Sequence, residues 1–184
     1  MARTETPAVK NGLDCPDFAL PDPSGKLHDR GDLRGVRGLL VVFICNHCPF
    51  VRAVADKLAE QGRILMEMGF GVVAISSNDW ETHPEDAPEK MAEFAKKHNF
   101  PFPYLVDEDQ SVAKAFGAVC TPDFFGYNAD LELQYRGRLD ASGREADPNA
   151  ESELIPAMRQ IAYTGVGPEQ QTPSVGCSIK WKDA

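Results

Sequence analysis

The sequence is short of positive charge. Nineteen Lys and Arg stand against twenty-eight Asp and Glu, leaving a net charge of −9. Such a chain lacks the basic face that displaces phosphate counterions, which argues against binding nucleic acid or docking on anionic membrane. No stretch approaches the roughly 20 apolar residues that span a bilayer, and "MARTETPAVKNGLDCPDF" contains no apolar leader. The expected location is therefore the cytoplasm. Internal repeats and low-complexity tracts are absent as well. Cysteine is sparse: Cys15, Cys45, Cys48, Cys120 and Cys177 make an odd count with one close pair. In a reducing compartment that pattern favours catalysis or metal binding over a structural disulfide framework. No second C-x-x-C and no H-x-x-x-H complete a structural zinc site. Haem attachment needs histidine directly after the second cysteine, and Pro49 occupies that place.

What remains is a globular composition of 42% hydrophobic and 26% charged residues over 184 positions, enough for one domain with a real core. "DFALPDPSGKLHDRGDL" (17–33) predicts two short strands around a Pro/Ser/Gly turn. "GLLVVFI" (38–44) is a continuous apolar run that suits a strand buried on both faces. A helix follows it, with Val51, Val54, Ala55 and Leu58 at helical spacing. "FGVVAISSN" (70–78) is a second buried strand, and "PEDAPEKMAEFAKKHN" (84–99) the next helix, its stripe formed by Met91, Phe94, Ala95 and His98. A strand over 103–109 and a short helix in "QSVAKAFGA" come next. Two strands over 123–140 are joined at Asn128-Ala129-Asp130, too tightly for a parallel crossover, so they form an antiparallel hairpin. A closing helix spans 151–165. This order implies an α/β fold with a central mixed sheet flanked by helices, an N-terminal β-hairpin and a C-terminal tail. The expected division is a domain over 1–165 and a tail over 166–184 packed on it. In that tail Val175, Ile179 and Trp181 offer apolar anchors on alternating positions.

The pair in "VVFICNHCPF" lies where the first buried strand gives way to its helix. Proline is tolerated in the first helical turn, where its missing amide hydrogen has no partner. Pro49 thus places the helix start near Cys45 or Asn46. That start would leave Cys45 among free backbone amides at the positive end of the helix, lowering its pKa below the free value of about 8.5. Cys48 would be partly covered one turn on. His47 is either a stabiliser of thiolate or an exposed loop histidine. Cys45, His47, Cys48 and Cys120 together offer soft ligands to zinc or copper, which makes a metal-binding module the rival reading. "NDWETHPED" (78–86) reads as a solvated loop that could also border the site.

Three stretches together resemble the thioredoxin superfamily, on its peroxiredoxin-like side. They are "CPDFALPDPSGKLHDRGDLRGVRGLLVVFICNHC", "VDEDQSVAKAFGAVCTPDFFGYNADLELQYRGRLD" and "TPSVGCSIKWK". The resemblance implies a thioredoxin fold and a thiol–disulfide oxidoreductase that needs no cofactor or metal. Its partners would be a disulfide-bearing protein or small molecule and an upstream thiol reductant. Cys45 would attack the substrate and Cys48 would resolve the mixed disulfide. Pro122, in the cis form, would pack on the pair, and the Thr121 backbone would hold substrate as an added strand. Cys120 would lie near the pair, as a redox or ligand group or as a small buried hydrophobe. The tail would bring Cys177 within exchange distance of Cys45 or Cys120, or lie as an inert edge strand elsewhere. Two departures stand out. Leu39 replaces the buried aspartate of thioredoxins. Aligning Cys48 with the peroxidatic cysteine of P-x-x-x-T-x-x-C puts Val41 at the proline and Cys45 at the threonine, with Thr121 near the expected arginine. The alternative activity is accordingly a thiol peroxidase.

Overall fold

The computed structural model describes residues 2–8 and 10–183. In chain order the elements are β1 (Arg3–Glu5), β2 (Ala19–Pro21), β3 (Leu27–Asp29), α1 (Arg30–Leu33), β4 (Gly38–Phe43), α2 (Pro49–Glu67) and β5 (Phe70–Ser76). There follow α3 (Pro88–Lys97), β6 (Tyr104–Val106), α4 (Ser111–Phe116), β7 (Cys120–Thr121), β8 (Asp123–Tyr127), β9 (Leu133–Tyr135), α5 (Leu154–Thr164) and β10 (Val175–Ser178).

The central sheet runs β6-β5-β4-β8-β9. Strands β4, β5 and β6 are parallel, while β8 and β9 are antiparallel. All six residues of β4 are buried because both sheet faces are covered, which is why its sequence is apolar throughout rather than alternating. Leu40 and Val42 pack with α2, α3 and α5 on one face. Leu39, Val41 and Phe43 pack with α4 and the β2–β3 hairpin on the other. Each large aliphatic side chain buried this way contributes about 1.5–3 kcal/mol.

The β8–β9 hairpin turns where expected, and Asn128 Oδ1 closes the turn by accepting the amides of Asp130 and Glu132. The helix expected over 84–99 is divided. A 3-10 turn covers Pro84–Asp86, and α3 starts afresh at Pro88. Proline forces the residue before it out of the helical region, and Ala87 is extended at φ −60°, ψ 152°.

A second, three-stranded sheet of order β1-β10-β7 was not legible in the sequence. It folds the tail onto the domain, with Ile179 buried. Trp181 departs from the expected anchoring: it is 41% exposed, beside the Lys114 ammonium. Among the described residues no helix is long and apolar enough to cross a membrane.

Candidate active site

The cysteine turn connects β4 to α2. Ile44 still bonds to β5 through Ile75 O, and the chain then leaves the sheet. Helix α2 begins at Pro49, so Cys48 is its N-cap, with extended backbone at φ −70°, ψ 123°. This corrects the helix start expected near Cys45 or Asn46. Proline favours the first helical position itself, which shifts the positive helix end onto Cys48. The Val51 and Arg52 amides donate to Cys48 O, at 3.1 and 3.0 Å.

The Thr121–Pro122 bond is cis. Cys45 Sγ lies 3.5 Å from Thr121 Oγ1, and Cys48 Sγ lies 3.3 Å from Thr121 O. Cys177 Sγ stands 3.0 Å from Cys48 Sγ, so the tail cysteine meets Cys48 rather than Cys45 or Cys120. All five cysteines are buried and free, Cys45 included. Cys120 directs its thiol to Pro122 O at 3.7 Å, and burial pushes its pKa up.

The acidities reverse the sequence-based order. Cys48 is brought down to about 5, chiefly by the Cys45 thiol donating to it, then by Cys177, Thr121 and the Val51 amide, all against its own burial. Cys45 is held well above the usual thiol value, first because it is the donor to Cys48, then by burial and the Asp86 carboxylate. Cys177 is pushed up to about 12 by burial and by donation to Cys48, while Lys180 and Arg144 act the other way. A sulfur that receives several donors is the one that carries charge.

Around the turn lies a polar network that sequence reasoning missed. Asp86 is fully buried. Its Oδ1 accepts the Asn46 amide at 2.8 Å, and its Oδ2 accepts Asn78 Nδ2 at 2.9 Å. His47 Nδ1 is 2.6 Å from Asp86 Oδ2. Its ring stacks on His83, centroids 5.6 Å apart, and among the described residues neither ring nitrogen makes a hydrogen bond of good geometry. The Tyr104 hydroxyl donates to Asn46 Oδ1 at 2.9 Å. Asp86 raises the pKa of His47, and His47 helps hold Asp86 low. His47 stood out in the sequence as a candidate stabiliser of thiolate, and the signal for Asn78, His83 and Asp86 was the mixed run 78–86.

Among the described residues, one group of donors has metal-ligand spacing: Cys45, His47 and Asp86, with ligating atoms within 4.8 Å of one another. Neither Cys48 nor Cys120 belongs to it. The Asp86 oxygens are already engaged by Asn46, Asn78 and His47, so the donor set fits a hydrogen-bonded network better than a vacant coordination shell.

Strand β10 lies antiparallel on β7, with Cys177 opposite Thr121 and Ser178 opposite Cys120. The edge that the resemblance reserves for a substrate strand is thus covered by the protein's own tail. A cleft of about 50 Å³ opens beside the cis proline, lined by Phe50, Pro122, Phe124, Leu139, Ser174 and Val175.

The fold is a thioredoxin fold, with the buried C-x-x-C turn beside the cis proline. The AhpC/TSA family model matches residues 12–141, and the chain belongs to that family. A conserved protein of Geobacillus kaustophilus has a solved structure that is 42% identical, with TM-score 0.93, covering 100% of this chain and 98% of that one. A Sinorhizobium meliloti 1021 protein is 36% identical, with TM-score 0.92, covering 98% and 100%. The thiol-disulfide oxidoreductase ResA of Geobacillus thermodenitrificans is 27% identical over 66% of each chain, and peroxiredoxins also stand among the relatives. The protein is an oxidoreductase of the thiol–disulfide or peroxiredoxin-like kind.

Proposed function

We propose that the protein is a cytoplasmic thiol–disulfide oxidoreductase whose substrate-attacking group is Cys48, with Cys45 as its C-x-x-C partner. The observation that carries this reading is the place of Cys48: at the N-cap of α2, its sulfur 3.3 Å from the carbonyl of Thr121, the residue before the cis proline, and 3.0 Å from a second thiol. Thiolate is the attacking form in disulfide exchange, and a low pKa keeps it populated at neutral pH. Cys48 would attack one sulfur of a substrate disulfide and release the other as thiol, forming a mixed disulfide. A neighbouring enzyme thiol would then displace the substrate and leave an enzyme disulfide, which an upstream dithiol restores. Substrate would approach through the cleft beside Pro122. Residues 1–165 would form the catalytic domain, and 166–184 a tail that serves it. The peroxidase reading is supported by the AhpC/TSA family match and by a peroxiredoxin among the relatives.

Two assays with the same dithiol reductant test the proposal, one consuming a small disulfide and one consuming hydrogen peroxide. Disulfide reduction is expected to be the faster turnover and to be abolished in Cys48→Ser. Peroxide consumption exceeding disulfide reduction would contradict the proposal in favour of a peroxidase.

A further inference from the structure

We infer that Cys177 is a third catalytic thiol, carried into the site on a strand that takes the substrate's place, and that it resolves the adduct at Cys48 ahead of Cys45. The inference rests on the assignment of Cys48 as the attacking thiol.

The geometry is specific. Strand β10 occupies the edge of β7 at the residue preceding the cis proline, and register puts Cys177 opposite Thr121. From there its sulfur stands 3.0 Å from Cys48 Sγ. The strand is pinned on both sides of Cys177. Ser174 Oγ donates to Pro122 O at 2.6 Å, and the Ser174 amide bonds Thr6 Oγ1. Beyond the strand, the Lys180 amide donates to Asn78 Oδ1 at 3.0 Å, and the Asp79 amide donates to Lys180 O at 2.9 Å. Residue 176 has to be glycine, because a Cβ there would lie 1.9 Å from Thr121 O. A tail that merely covered the core would need an apolar side chain opposite Thr121, not a thiol in contact with the acidic cysteine. Holding the thiol in place also removes the orientational cost of its attack.

The chemistry closes in two steps. For a substrate R–S–S–R′, the Cys48 thiolate attacks one sulfur, the S–S bond breaks, and R′S⁻ leaves and takes a proton. Cys177 then loses its proton to solvent and attacks Cys48 Sγ. The bond from Cys48 to R–S breaks, RS⁻ leaves, and a Cys48–Cys177 disulfide forms. The substrate gains two electrons and the enzyme dithiol loses two, which an external dithiol replaces. Capping Cys48 also removes the negative charge that holds the Cys177 proton in place, leaving Lys180 and Arg144 as the neighbouring charges that favour its thiolate. Cys45 keeps Asp86 beside it, which opposes ionisation.

The test uses the full reduced chain and one equivalent of glutathione disulfide, quenched with acid over a time course and mapped by peptide mass spectrometry. Glutathione should appear on Cys48 first, followed by a Cys48–Cys177 disulfide with Cys45 still free. In Cys177→Ser the glutathione adduct should persist at least about tenfold longer. A Cys45–Cys48 disulfide as the first product, with Cys177 free in the wild-type chain, would overturn the inference while leaving the proposed function intact. The wild-type map decides this even if the variant folds poorly. Failure of folded wild-type protein to take glutathione on Cys48 would remove the proposed function, and the inference with it.

Discussion

At the scale of residues, the chemistry turns on which sulfur ionises first. Cys48 caps α2, has the Cys177 sulfur 3.0 Å away and is brought down to about 5, whereas Cys45 has the Asp86 carboxylate near it and is held well above the usual thiol value. His47 stands outside that contest as the cationic partner of Asp86. Its pKa is raised, so the stability it contributes is fully present below its ordinary value of 6.5 and lost as pH rises through the higher folded value. Asp86 is depressed, so its contribution is present above its ordinary 3.8 and lost as pH falls through the lower folded value. Comparing the wild type with His47→Gln in urea, the stability difference should be largest between about pH 4 and about pH 6.5 and should shrink at higher pH. Imidazole titration by NMR should place His47 above 6.5 in the wild type and lower in Asp86→Asn, where burial is opposed only by the weaker influence of Glu85 and Cys48. An unmoved midpoint would show that Asp86 does not control the ring.

Among the elements, Pro49 and β10 position the site. The proline was legible, and so was a helix following a buried strand. The start was read three to four residues early because proline was allowed anywhere in the first turn, whereas it stands at the first position here. That shift decides which cysteine caps the helix. The alternation of Val175, Ile179 and Trp181 was legible too, but alternation carries no information about the partner strand. Residues of β10 and β7 meet across more than fifty positions of chain. Gly176→Val tests the docking. Overpacking should cost about 1–3 kcal/mol in urea unfolding, and Cys177 should react faster with a thiol reagent as the strand lifts. Wild-type stability together with wild-type Cys177 reactivity would contradict the close approach.

For the whole molecule, two cores separated by one sheet account for the elements that local periodicity foretold, since the pattern records which face each residue buries. Periodicity says nothing of polar contacts between distant segments, and these were missed: Asp86 with His47, and Asp123 with Arg136. The second pair ties three elements together. Arg136, just past β9, bonds Asp123 of β8 at 3.0 Å and Gly117 O at the end of α4 at 2.8 Å. Asp123 is fully buried, and burial raises its pKa despite the guanidinium. Arg136→Met leaves that carboxylate unpaired and should cost about 3–5 kcal/mol. Adding Asp123→Asn should recover much of the loss. If the double variant is no more stable than the single one, the cost lies in packing and not in the stranded charge.

The most direct test of the account is the pH profile of alkylation, resolved by residue. Reduced protein is treated with a small alkylating reagent across a pH series, and each cysteine is followed by peptide mapping. Burial slows the absolute rates, but the midpoint of each profile still reports the thiolate fraction. Cys48 should be modified first, with a midpoint near about 5, while Cys15 and Cys177 respond only toward about 11 and about 12. Cys45 should stay protonated at neutral pH. Labelling of Cys45 before Cys48, or a Cys48 midpoint near the ordinary 9.0, would contradict the assignment of Cys48 as the attacking thiol.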